Sequence, residues 1–373
     1  MTSYTSMRPP LNLVFRVDAS STIGAGHLMR CLTLAAALKS AGAHIDFICR
    51  DLPGNYACWL RQRDYRVFLL PAASQPLQDG ENEYLRWLSV PMETEIAQCK
   101  SVLDSLPKPD WIVVDHYALD RKWEAAVRPE NAFLMAIDDL ANRTHDCQFL
   151  LDQNHYPNPA QRYRDRAPGA ALLLGPEYAL LRPEFRAKRP MVARRTGKVH
   201  RLLVFLGGSD NANVTPTALR ALTRLNYRSI DVEVVVGQAN PHLEEVRAQC
   251  RLAGAKLLTQ VDDMAERMAM ADLAIGATGV ATWERASVGL PALAISVSDN
   301  QREIARYADQ LGILRWLGDA STVHEQDWVD ALQWAFSNGE ALREQSVNGM
   351  QVVDGLGTTR VVERMIGHHS RLH

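Results

Sequence analysis

No Cys-x-x-Cys pair occurs in this chain, although it has six cysteines, at positions 31, 49, 58, 99, 147 and 250. Thiols scattered in this way read as reduced side chains of a cytoplasmic protein, not as a disulfide frame or a zinc site. Net charge is also scarce. The formal value is -2 at pH 7, so the basic footprint of a nucleic-acid binder is missing. No run of 18 apolar residues is present, which argues against a membrane span, and the opening MTSYTSMRPP has no apolar core of a secretory signal. Familiar motifs fail as well. The dehydrogenase fingerprint needs a third glycine, and in GAGHLM that place is held by Met29. There is no Gly-Lys-Ser/Thr of a P-loop and no Gly-x-Ser-x-Gly nucleophile elbow. The acidic pairs Asp138–Asp139 and Asp262–Asp263 are adjacent, so their carboxylates tend to diverge on a strand. Neither a metal nor a cofactor is expected.

What the chain has is length and alternation. Its 373 residues exceed one ordinary core, so two domains are expected, and 47% apolar with 23% charged residues fits a globular protein. Short apolar runs alternate with helical patterns, the mark of parallel sheets with helices on both faces. Runs at 11–19, 44–50, 65–70, 110–117, 132–140 and 147–154 read as strands, and 28–42 as a helix stopped by Gly42. The stretch 71–93 has no clear period and reads as loop and short helix. The basic segment FRAKRPMVARRTGKVH (185–200) carries Pro190 and reads as a linker. Strand patterns then resume at 200–210, 231–238, 255–261, 272–277 and 292–297, with helices at 215–225 and 327–339. The expected domains are 1–190 and 191–373.

Three glycine loops follow strands: IGAGH (23–27), GGSD (207–210) and GATGVATWE (276–284). In a parallel α/β sheet ligands sit beyond the carboxyl ends of strands, where glycine lets backbone approach a ligand and helix N-termini offer unpaired N–H groups to phosphate. One such loop is often only a tight turn. Three in one chain point to a diphosphate. In the first, a histidine stands where the loop becomes a helix.

The stretch FRVDASSTIGAGHLMRCLTLAAAL closely resembles the opening of the UDP-2,4-diacetamido-2,4,6-trideoxy-β-L-altropyranose hydrolases of pseudaminic acid biosynthesis. VVDHYALD, AIDDLANRTHDCQFLLDQN and LLGPEYALLRPEF resemble later blocks of that family, and GATGVATWERASVGLPALAISVSDNQ its second-domain signature. The resemblance implies an α/β GT-B fold, two Rossmann-like domains with parallel sheets facing a central cleft, and kinship with the N-acetylglucosaminyltransferase that makes the lipid-linked peptidoglycan precursor. The implied reaction is attack of water at the anomeric carbon of the UDP-sugar, with inversion and release of UDP. Family members often carry glycine where Thr278 stands and serine where Ala281 stands, so a side-chain phosphate contact is in doubt while the backbone contacts survive.

The implied partner is a small UDP-sugar, handled by a cytoplasmic monomer with no nucleic acid and no membrane. Gly207, Gly208, Ser209, Thr278, Gly279, Val280 and Ala281 would serve the diphosphate and Glu284 the ribose diol, with Asn300 and Gln301 nearby. Glu284 is also where a glutamate favours a helix dipole, and Trp283 reads equally as core. The sugar would face Gly24, Gly26, His27, Tyr117 and the QNHY segment containing Asn154, with Asp18 and Arg30 flanking the loop. Arg30 would pair with Asp18 or with a diphosphate oxygen. His27 is either a structural cap or the base that activates water. UDP leaves readily, so the nucleophile is what needs help. An imidazole titrates near a pKa of about 6.5, and a helix N-terminus disfavours its protonated form. Rival readings are a GT-B glycosyltransferase, a UDP-sugar 2-epimerase and a non-catalytic nucleotide-sugar binder.

Overall fold

The computed structural model describes residues 10–73, 83–191, 195–226, 229–238 and 240–372. Contacts divide the chain into two compact units. The first comprises residues up to Asp152, then Asn158–Leu174 and Thr359 onward; the second comprises Gln153–Pro157 and Gly175–Thr358. This division differs from the expected boundary at residue 190.

The first unit is built on seven parallel strands: β1 (Asn12–Val17), β2 (His44–Arg50), β3 (Arg66–Leu70), β4 (Trp111–Asp115), β5 (Phe133–Ile137), β6 (Phe149–Asp152) and β7 (Ala171–Leu174). Their order is β3-β2-β1-β4-β5-β6-β7. Strands buried on both faces are apolar throughout, as in Trp111–Val114, where all four side chains are buried. The order reverses between β1 and β4, and Val17 pairs with Asp115 at their carboxyl ends. That switch point is where such a sheet leaves room for a ligand. The helix Gly26–Ser40 leaves β1 there and buries Leu28, Cys31, Leu34, Ala35 and Leu38.

The second unit repeats the plan with six parallel strands: β8 (Arg201–Phe205), β9 (Asp231–Val236), β10 (Lys256–Thr259), β11 (Leu273–Ala277), β12 (Ala292–Ser296) and β13 (Arg315–Asp319). The order is β10-β9-β8-β11-β12-β13, so the reversal falls between β8 and β11. The glycine turns at 207–208 and 278–279 follow these two strands.

The expected linker is a correction. It begins inside the helix Pro183–Lys188, where Phe185 is fully buried in the core of the second unit. Two of the basic residues that suggested a linker, Arg189 and Arg195, are partly buried cappers of helix ends. Arg189 donates to the carbonyls of Ser287 and Val353, at 2.9 and 2.5 Å, and also to Met350. Arg195 donates to Gly289 O at 2.6 Å and to Met268 O at 3.1 Å, as well as to Ala271 O. These carbonyls sit at helix C-termini, where no N–H of the helix itself remains to bind them. Strands β7 and β13, which sequence periodicity missed, both lie at sheet edges. Of the stretch 71–93, residues 74–82 lie outside the described residues; beyond them come a 3-10 helix Glu83–Leu88 and the helix Met92–Asp104. No helix among the described residues is long and apolar enough to cross a membrane.

Candidate active site

In the first unit the loop after β1 turns on Ser20. Its hydroxyl accepts from the N–H groups of Thr22 and Ile23, and its carbonyl from Gly24 N at 2.9 Å. Gly24 has φ +80°, a conformation that L side chains rarely adopt. A Cβ at Gly24 or Gly26 would meet nothing within 4 Å, so packing does not account for the absence of a side chain at Gly26. The loop leaves backbone open, as expected of a surface that a ligand approaches.

His27 is the second residue of the helix, with its side chain 11% exposed. Its Nδ1 lies 2.6 Å from Asp115 Oδ1. Burial pushes the Asp115 carboxyl up, but Arg30 and His27 outweigh it and hold it below the usual carboxylate range. An ionised carboxylate only accepts hydrogen bonds, so Nδ1 carries a proton, and it is Nε2 that holds the lone pair whenever the ring is neutral. Among the described residues Nε2 has no hydrogen-bond partner. The ring of Tyr117 stands edge-on to His27 at 4.6 Å, and Trp87 stacks on Tyr117 at 5.4 Å.

Arg30, one turn along the helix, is only 4% exposed. It donates from Nε to Asp115 Oδ2 at 2.6 Å, from Nη2 to Asp115 Oδ1 at 2.8 Å and from Nη1 to Asp139 Oδ2 at 2.9 Å. Tyr117 OH donates to Asp139 Oδ1 at 2.5 Å. The expected pairing of Arg30 with Asp18 is therefore a correction. Asp18 is 1% exposed and belongs to a separate buried cluster. It accepts from Arg16 at 2.5 and 2.9 Å and from the Arg50 N–H at 2.7 Å, and His116 Nε2 lies 3.2 Å away. Arg16 also donates to Glu95 at 2.7 Å, and Arg50 pairs with the same glutamate. Asp18 thus has no accessible oxygen for a sugar; it neutralises buried cations beneath the loop. Sequence reading missed Asp115. Its signal was a carboxylate ending the fully apolar run WIVV, since an acid in a buried strand requires a cationic or hydrogen-bonding partner. The acidic pair diverges as expected: Asp139 meets Arg30 and Tyr117, while Asp138 meets Arg143 at 2.8 Å.

In the second unit Gly207 has φ +97°. Gly208 packs against Gly237 so closely that a Cβ on Gly237 would lie 2.8 Å from Gly208 O. Asp210, not a ligand, caps the helix Val214–Leu225, accepting from Val214 N at 3.1 Å and Thr215 N at 2.9 Å. What the loop leaves open are the N–H groups of Gly207, Gly208 and Ser209, which have no partner among the described residues.

The turn after β11 places Gly279 at φ +139° ahead of the helix Val280–Ser287. Thr278 is 2% exposed, and its hydroxyl bonds the Ile295 carbonyl and Gln301 Oε1, both at 3.3 Å. It is turned into the protein rather than toward a phosphate. The N–H groups of Val280 and Ala281 form no hydrogen bond among the described residues, and Gln301 lies across the turn, with Nε2 3.6 Å from a Cβ built on Gly279. Asn300 is bonded by Ser298 Oγ at 2.6 Å. Glu284 keeps 16% of its side chain exposed, and its nearest cation is Arg182 at 3.9 Å. Burial pushes its carboxyl above the ordinary range, against the pull of Arg182 and Arg285. Asn154 and Trp283 meet here too: Trp283 is fully buried core and its Nε1–H donates to Asn154 Oδ1 at 3.0 Å. The QNHY segment therefore belongs to the second unit, whereas His27 belongs to the first.

Residues 202–351 match the family model of the glycosyltransferase family 28 C-terminal domain. The chain is similar over 96% of its length, and all of the other's, to the crystal structure of Acinetobacter baumannii MurG, with TM-score 0.62 and 16% identity. The fold is GT-B. Among curated proteins, the GT-B chain is 31% identical over 190 residues to the spore coat polysaccharide biosynthesis protein SpsG of Bacillus subtilis, covering 50% of this chain and 56% of that one. It spans little more than half the length of that relative. It is 24% identical over 243 residues to the UDP-2,4-diacetamido-2,4,6-trideoxy-β-L-altropyranose hydrolase of Campylobacter jejuni, covering 65% of this chain and 75% of that one. The chain is thus similar to an altropyranose hydrolase of the family that its sequence resembles, and its fold is of GT-B type.

Proposed function

We propose that this protein hydrolyses UDP-2,4-diacetamido-2,4,6-trideoxy-β-L-altropyranose, breaking the anomeric C–O bond with inversion. The products are UDP and 2,4-diacetamido-2,4,6-trideoxy-L-altrose. The observation that carries the reading is the 2.6 Å contact between His27 Nδ1 and Asp115, which leaves Nε2 as an oriented acceptor at the switch point of the first sheet. Nε2 takes a proton from water as the water oxygen bonds to the anomeric carbon. The C–O electron pair leaves with UDP, which needs no strong acid. The second unit holds UDP: loop N–H groups at 207–209 and 280–281 take the diphosphate, and the Glu284 carboxylate takes the ribose diol. The relative that bears this activity in its name supports the substrate.

The family 28 match favours a second reading, transfer of a UDP-linked sugar to an acceptor. Incubation with the UDP-sugar and no acceptor separates the two. Release of UDP together with free, unchanged sugar supports hydrolysis; UDP formed only when an acceptor is added supports transfer; an intact substrate supports a non-catalytic binder. A monomeric cytoplasmic enzyme is the accompanying expectation.

A further inference from the structure

His27 and Arg30 compete for one oxygen. Asp115 Oδ1 accepts from His27 Nδ1 at 2.6 Å and from Arg30 Nη2 at 2.8 Å, while the same guanidinium reaches Asp139 at 2.9 Å. Arg30 Nη2 itself lies 3.2 Å from His27 Nδ1. A carboxylate this close to an imidazole favours the imidazolium, which cannot act as a base. A guanidinium on the same carboxylate opposes that effect. The result is an alternating row of charge, Asp139, Arg30, Asp115 and then the ring. Both carboxylates of the row are held in place, since Asp139 is anchored by Tyr117 at 2.5 Å and Asp115 ends a buried strand.

We infer that Arg30 is a positioning residue that sets the proton affinity of His27, by being shared between Asp115 and Asp139. The inference rests on the reading of His27 as a base. A full alignment of Arg30 with Asp115 weakens the hold of that carboxylate on an imidazolium; a pull toward Asp139 strengthens it. Other groups around the ring complete the local charge: Tyr117, whose hydroxyl burial keeps protonated; Cys31, whose thiol lies 3.6 Å from Asp115 Oδ2; His116, held by Asp18; and Arg143, 5.6 Å above the Tyr117 ring. None of them shares the Asp115 oxygen that faces His27.

The test is a titration of the His27 ring by NMR, in full-length protein labelled with 13C-histidine and assigned with His27→Gln. Arg30→Gln should raise the pH at which the ring takes up a proton by about 1 unit or more, the usual effect of an uncompensated neighbouring charge. Asp139→Asn should lower it, because Arg30 then serves Asp115 alone. Arg30→Lys, which keeps the charge, should restore most of the wild-type midpoint. Opposite shifts from the two neutralising variants are something that a purely structural role would not produce. An unmoved midpoint in both, or a rise in Asp139→Asn, overturns the inference. If Arg30→Gln does not fold, Asp139→Asn and Arg30→Lys decide by themselves. Hydrolysis of the UDP-sugar by the wild-type protein is scored separately. Opposite shifts without any turnover would uphold the charge row and refute the hydrolase reading; turnover without the shifts would do the reverse.

Discussion

His27 Nδ1 and Asp115 Oδ1 stand 2.6 Å apart across 88 residues of chain, joined at the carboxyl ends of two neighbouring strands. A helix start and a strand end therefore make one pair. In the proposed hydrolysis the carboxylate does no chemistry on the substrate; it fixes which ring nitrogen carries the proton. Replacing it by an amide should leave the shape and spoil the tautomer. Asp115→Asn is expected to lower kcat by about 10²–10⁴-fold with UDP affinity nearly unchanged. Steady-state hydrolysis and calorimetric UDP binding check this, and a kcat within a few-fold of wild type would refute the pairing.

His27→Ala should fall by a similar factor, about 10²–10⁴-fold, and lose the acid limb of the pH–rate profile. Because the two residues act as a unit, the double variant should be little worse than either single one. Multiplicative losses would mean that they work independently. A helix-capping histidine would instead cost on the order of 1 kcal/mol of stability and leave the profile unchanged, which a thermal melt detects.

Among the described residues Glu284 has one ion pair, with Arg182 at 3.9 Å, and no side-chain hydrogen bond, which suits a carboxylate proposed to take a diol. Glu284→Ala should weaken UDP roughly 10- to 150-fold, the effect of losing a charge-assisted hydrogen bond of about 1.5–3 kcal/mol. KM should rise while kcat changes less. Its carboxyl titrates above the ordinary range because of burial, so wild-type UDP affinity should decline on acidification, and the variant should lack that part of the decline. Equal UDP affinity in variant and wild type would reduce Glu284 to a helix-dipole residue.

Asp18 should behave as a structural residue. Removing it leaves Arg16 buried with one fewer counter-charge, and breaking a buried pair costs about 3–5 kcal/mol. Asp18→Ala is therefore expected to lower the denaturation midpoint strongly while the folded fraction still binds UDP. A selective rise in KM at unchanged stability would return Asp18 to the substrate.

His145 offers a pH test of stability. Burial opposes its charge, but Asp138 and Glu124 raise it from 6.5 to about 9. Nδ1 lies 2.6 Å from Glu124 and Nε2 3.7 Å from Asp138. A folded-state value above the unfolded one means that stability is fully present below about 6.5 and is lost as pH rises through about 9. Melting curves from pH 6 to 10 should show this loss, and His145→Gln should show a flatter profile. A parallel decline in both proteins would assign it to other groups.

The alternation of apolar runs and helical patterns by itself determined two parallel α/β halves, the glycine turns and the place of His27, because backbone propensity and burial period are local properties. The same locality explains what it misassigned. The basic stretch 185–200 looks solvated in sequence, yet Arg189 and Arg195 spend their charge on carbonyls that only the folded helix ends bring near. Edge strand β13, RWLGD, has half-buried side chains throughout and so carries no periodic signal. The crossing of the chain back into the first unit from Thr359 onward is likewise invisible in local pattern. Most of all, the partners of charged groups were beyond sequence. Arg30 had several acids in reach of a guess. Only the alignment of β1 with β4, and of β4 with β5, gave it Asp115 and Asp139 and left Asp18 to Arg16, because pairing of buried charge is settled by which strand ends lie side by side.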